Sequence, residues 1–108
     1  MKNGEIWLVD LSDGKGHEQR GERPAIVVGG ANGLVLAVPL TSNPATARFS
    51  HTCLISPDSH NGLDTESIAL VFQITALDRE RFVHQIGTLD GQRRVAIQVL
   101  IRDLLSLD

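Results

Sequence analysis

Up to residue 89 the apolar residues of this chain come in short runs; from Asp90 onwards they come at helical spacing. That one change of period constrains the fold more than any other feature. Ile97, Leu100, Ile101, Leu104 and Leu105 occupy the i, i+3, i+4, i+7 and i+8 positions of a single helix face. Asp90 is placed to cap this helix, and Gln92, Arg93, Arg94, Gln98 and Arg102 supply its polar side. Ahead of it, residues 5–11, 24–28, 34–40, 50–56, 67–75 and 83–89 read as six strands, with one helical turn in "LDRERF". In the first strand Ile6 and Leu8 share one face while Trp7, Val9 and Leu11 share the other, which predicts burial on both sides. Pro24 opens the second strand, where a missing N–H does least harm. "GGANG", residues 29–33, turns that strand back into the third.

Six short strands followed by one helix predict a compact, mainly β fold with a barrel-like sheet closed by the helix. A chain of 108 residues predicts one domain spanning 1–108. On such a scaffold the polar loops carry function, here 12–22, 41–49 and 57–66. The net charge of −3 rules out a global basic field, so any nucleic-acid site must be a local patch. Cys53 is the only cysteine, so no intramolecular disulfide can form, and its apolar setting predicts a small core residue. His51, His60 and His84 lack ligand-like spacing, and neither a metal nor a cofactor is expected. No apolar run reaches membrane-spanning length and the start is too short and acidic for a signal peptide, so a soluble cytoplasmic protein without membrane contact is expected.

The loop at 12–22 leads into "KGHEQRGERP", residues 15–24, pinned between "EIWLVDL" and "AIVV". Together these resemble the opening of the MazF/PemK/Kid family, ribonuclease toxins of bacterial toxin–antitoxin pairs. The family pattern Gly-x-Glu-Gln-x-Gly-x-Arg-Pro is complete in Gly16, Glu18, Gln19, Gly21, Arg23 and Pro24. "VPLTS", residues 38–42, "FQITALDRERF" and the closing "IGTL" resemble later family segments in the same order. The resemblance implies an SH3-like, strongly twisted β-barrel with a C-terminal helix, shared with the CcdB toxins and assembled as a homodimer. It also implies cleavage of single-stranded RNA without a metal, and a cognate antitoxin that covers the loops.

In that chemistry a 2′-hydroxyl attacks the neighbouring phosphorus and expels the 5′-oxygen. A proton acceptor, charge stabilisation on the phosphoryl oxygens and in-line positioning are all required. Arg23 matches the family arginine, and its planar guanidinium suits a phosphate. An ion pair with Glu18 or Glu22 is its alternative role. Thr41 matches the family threonine and can donate to a phosphate oxygen, or else bond local backbone, with Ser42 beside it. Glu18 matches the family glutamate, as base or as a brace for the loop. His17 has the ordinary imidazole pKa for proton transfer, and Gln19 orients the loop or reads a base edge. Arg48 in the second loop is a candidate for phosphate contact. Arg79, Arg81, Arg93 and Arg94 are interspersed with Asp78, Glu80 and Asp90 and read as a solvated surface.

One position departs from the family. Several members carry an acid immediately before the glutamine of the fifth strand, where this chain has Phe72 before Gln73, and Thr75 replaces a later basic residue. Phe72 cannot accept a proton. Either Glu18 or His17 serves, or Asp64 or Glu66 reaches in, or cleavage is weak. Phe72 itself belongs to the core or stacks on an RNA base. Two non-cleaving alternatives follow: a member that only binds antitoxin or RNA, and a gyrase-binding toxin of the CcdB type, against which the Gly-x-Glu-Gln loop argues.

Overall fold

The strand Leu34–Thr41 (β3) changes partners halfway along, and the sheet is organised around that change. The computed structural model describes residues 1–12 and 21–106. Within them the other strands are β1 (Glu5–Asp10), β2 (Glu22–Ala31), β4 (Thr52–Ile55), β5 (Ser67–Leu70), β6 (Thr75–Asp78) and β7 (Phe82–Thr88). They form one antiparallel sheet in the order β4-β5-β3-β2-β1-β7, with β6 also paired to β3. This path runs from β4 to β7 without closing on itself, so the barrel-like sheet expected from the sequence is present in an open form. The C-terminal helix α1 (Gly91–Leu105) follows.

The expected strand 67–75 is two strands separated by a 3-10 turn, Val71–Gln73. Leu40 and Thr41 pair with Ala69 and Ile68, but Ala37 pairs with Thr75. Had the ladder run on unbroken, Ala37 would face Phe72. The turn absorbs the difference and puts Phe72 and Gln73 on the surface. The second strand is longer than expected, because the glycines at 29 and 30 stay paired with β3. Only Asn32 and Gly33 turn the chain, both with positive φ, the backbone a two-residue hairpin needs. Pro24 accordingly sits third in β2, opposite Leu8, rather than first.

Two apolar clusters lie on the two faces of the sheet. Ile6, Ile26, Val38 and Leu40 pack with Ile97 of α1 on one face; Val9, Ala25, Val27, Ala37 and Phe82 pack on the other. Ile6 and Val9 thus face opposite clusters, with Trp7 and Leu11 against the second, as the alternation in β1 predicts. On α1, Leu100, Ile101 and Leu104 join Ile97 against the core, whereas Leu105 is exposed. Asp90 caps the helix, its Oδ1 accepting the Arg93 N–H at 2.8 Å. Cys53 is half-buried at the margin of the core, and burial pushes its thiol pKa up.

Candidate functional site

The head of β2, the end of β3 and the loop 57–66 converge on a groove of about 510 Å³. Its walls include Glu22, Arg23 and Pro24, then Leu40, Thr41 and Ser42, then Leu63, Asp64 and Thr65, with Leu8 and Ile86 at its apolar floor. Arg23 and Thr41, far apart in sequence, therefore line one cavity. Arg23 is exposed and pairs across the sheet with Val9. Arg23 and Glu22 make no ion pair with each other among the described residues. The segment 13–20 lies outside the described residues, and with it the candidates His17, Glu18 and Gln19. Its anchors are held beside the groove: the Leu11 N–H donates to the Gly21 carbonyl at 3.4 Å. Arg81 is used here as well. Its Nη1 donates to the carbonyls of Asp10 and Ser12, at 3.1 and 2.7 Å, so it braces the loop entrance.

Thr41 ends β3 where the chain leaves the sheet. Its Oγ1 accepts the Asn43 N–H at 3.2 Å, as a strand-end threonine bonding local backbone would. That contact uses an oxygen lone pair and leaves the hydroxyl proton to donate. The backbone bond therefore leaves the hydroxyl able to donate into the groove that Thr41 lines. Asn43 then accepts the Ala45 N–H and caps a 3-10 turn, Pro44–Arg48.

The third wall is built by a residue the sequence reading passed over. Asn61 is buried, its Oδ1 accepting the N–H groups of Asp58 and Leu63 and its Nδ2 donating to the Ser56 carbonyl at 2.9 Å. Asp58 Oδ1 accepts the N–H groups of His60 and Asn61 in turn. The His60 N–H bond leads the causes that hold the Asp58 carboxyl below the usual carboxylate range. The next residue, Gly62, has positive φ and lies so close to the Ile86 carbonyl that a Cβ would collide with it. The loop is thereby fixed to β7, and the His60 carbonyl accepts the Thr88 N–H at 2.9 Å. Of the two carboxylates considered as substitutes for the missing acid, Asp64 lines the groove. Glu66 does not line it and accepts a hydrogen bond from Ser56 Oγ at 3.1 Å. The signal for this wall was the Asp58–Gly62 turn chemistry, Asx residues followed by glycine.

Arg48, Phe72 and Gln73 do not line the groove. Arg48 and Phe72 gather instead around Phe49, which the sequence reading did not single out, and Gln73 is exposed next to Phe72. The Phe49 and Phe72 rings are 5.6 Å apart, tilted by 60°, and the Arg48 guanidinium lies 4.6 Å over the Phe49 ring. Phe72 is thus exposed, neither in the core nor on the groove wall. Among the described residues no group of three His, Cys, Asp or Glu side chains is placed to hold a metal ion. No helix of the described residues is long and apolar enough to cross a membrane.

Fold and groove define a class: small antiparallel β proteins with one C-terminal helix, whose groove is lined by a guanidinium and hydroxyls. The chain belongs to the PemK-like, MazF-like toxins of type II toxin–antitoxin systems, whose family profile matches residues 2–105. It is 34% identical to the endoribonuclease MazF9 of Mycobacterium tuberculosis over 117 residues, which cover 99% of this chain and 98% of that protein. It is 28% identical to the endoribonuclease MazF of Staphylococcus saprophyticus, across 99% of this chain and 92% of the relative. Its fold superposes on MazF in the MazE–MazF crystal structure from Deinococcus radiodurans with a TM-score of 0.78 at 24% identity, covering 100% of this chain and 97% of that one. A mycobacterial endoribonuclease in complex with its cognate antitoxin gives 0.76 at 18% identity, with the same coverage.

Proposed function

We propose that this toxin is a metal-independent endoribonuclease that cuts single-stranded RNA in the groove headed by Arg23. The observation that carries the reading is the convergence of Arg23, Thr41 and Ser42 on one cavity. Its relatives named as endoribonucleases support it along nearly the whole chain. The 2′-oxygen attacks phosphorus, the bond to the 5′-oxygen breaks, and a 2′,3′-cyclic phosphate and a 5′-hydroxyl result. Arg23 stabilises the charge that accumulates on the phosphoryl oxygens, a role its permanent cation performs without releasing a proton. Thr41 donates its hydroxyl to one of those oxygens, and Ser42 lies beside it. A carboxylate takes the 2′-OH proton. Asp64 lines the groove for that task, and Glu18 is the carboxylate that the family pattern offers for it. Water at the mouth of the groove returns a proton to the departing 5′-oxygen.

A cognate antitoxin is the partner this reading requires, supported by the family's definition. A homodimer is supported by the apolar side chains left exposed on edge strand β4 and on α1, Leu54, Val95 and Val99. The cytoplasm, where messenger RNA is met, is its proposed place of action. The test is to incubate wild type, Arg23→Ala and Asp64→Asn with a long single-stranded RNA in EDTA and map the ends. Wild type should give discrete cuts with cyclic phosphate termini. Arg23→Ala should be slower by about 10²–10³-fold and Asp64→Asn by about 10²-fold. Intact RNA after incubation with folded wild type, together with inhibition of gyrase supercoiling, would replace this reading by the gyrase-binding one.

A further inference from the structure

We propose that Phe49 and Phe72, with Arg48, form a ledge on which an unpaired base of the RNA stacks outside the groove; the inference rests on the RNA-cleaving reading above. Two phenylalanines in contact normally hide in a core. Here they are 43% and 37% exposed, side by side, and the chain spends structure on keeping them there. Phe72 is lifted out of the sheet by the 3-10 turn, and its N–H is held by the His51 carbonyl at 3.2 Å. Phe49 is fixed from both sides. Its N–H donates to the Thr46 carbonyl at 3.1 Å, and its own carbonyl accepts from Thr52 Oγ1 at 3.0 Å. Arg48 is tied back by a bond from Nη1 to the Ala45 carbonyl at 3.2 Å, which leaves its plane over the Phe49 ring.

Fixed aromatic faces beside a guanidinium are what a nucleobase recognises without regard to its identity. A positive charge also suits the phosphate that must accompany the base. Gln73 is exposed directly after Phe72 and brings an amide that can donate to and accept from a base edge. The ledge is also within reach of the cutting site. Ser67 lines the groove and Phe72 follows five residues later, a span of at most ~18 Å of extended chain. A protein surface docking here would find an arginine and an amide flanking the two rings, a poorer match than a single base with its phosphate.

The test uses a single-stranded 2′-O-methyl oligonucleotide, which lacks the attacking hydroxyl and cannot be cut. Its binding is followed by fluorescence anisotropy for wild type, Phe49→Leu, Phe72→Leu and Arg48→Gln. Leucine keeps apolar volume and removes the π-face. Each phenylalanine variant should weaken binding about tenfold, Arg48→Gln should weaken it several-fold, and the KM for RNA cleavage should rise in parallel. Light scattering on the same samples should show unchanged mass. Equal affinity for wild type and both leucine variants overturns the ledge. So does absence of measurable binding by wild type, or a fall in mass on substitution, which would make the rings a protein–protein contact. If wild type binds through the ledge but cuts no RNA, the cleavage reading fails and the ledge stands. If Arg23 is needed for cutting while the leucine variants bind normally, the reverse holds.

Discussion

Asn61 carries more of the site than any residue that touches it in chemistry. Its amide ties three backbone groups, on Ser56, Asp58 and Leu63, from a position only 1% exposed. Truncation would leave those groups without partners in a place water reaches poorly. Asn61→Ala should therefore lower unfolding stability by about 3 kcal/mol, measured by urea denaturation. Asn61→Asp should not rescue it, because a carboxylate oxygen would replace the donor that meets the Ser56 carbonyl. Where the folded fraction is still high, both variants should also cut RNA more slowly, since the wall bearing Asp64 loses its anchor. A surface substitution with no such partners would move neither quantity. Phe72 is the opposite case. It stands where the family resemblance leads one to expect an acid, and its backbone geometry, not its chemistry, decides that it is displayed.

At the scale of elements, the legible parts were those with a clean period. The faces of β1 and the buried stripe of α1 follow from alternation and from 3.6-residue spacing, and Asp90 announced the helix start. The cap is testable: Asp90→Ala should cost about 1 kcal/mol of stability in urea, since the Arg93 N–H loses its acceptor at the helix N-terminus. The break between β5 and β6 was not legible. Residues 67 to 71 are all buried, so their pattern is uniform and says nothing about where a strand stops. What stops it is a partner far away in sequence: β3 pairs with one strand near Thr41 and with another near Ala37. The glycines at 29 and 30 misled in the other direction, reading as a turn while pairing in a ladder. For the site, Arg23, Thr41 and Ser42 were read from motif resemblance and do share a groove. Asn61 and Phe49 act through hydrogen bonds and stacking that carry no periodic mark.

At the scale of the whole molecule, charge poses the sharpest problem. The chain carries a net −3 and is proposed to hold a polyanion. The acidic excess repels RNA at long range, and only a local set of cations can offset it. Exposed charges interact over roughly 8 Å at physiological ionic strength, so distant carboxylates are largely screened while Arg23 and Arg48 act at contact. Binding should then be strongly salt-dependent yet rest on few phosphate contacts. For single-stranded nucleic acid each neutralised phosphate contributes about 0.7 to the slope of log affinity against log salt. Replacing Arg23 by alanine should reduce that slope by about 0.7, with the uncleavable oligonucleotide as ligand. Replacing Arg94, which packs against Gly4 and does not line the groove, should leave it unchanged. A wild-type slope indistinguishable from that of the Arg23 variant would mean that the arginine meets no phosphate in the bound state. The groove would then have to hold RNA through its hydroxyls and its floor alone.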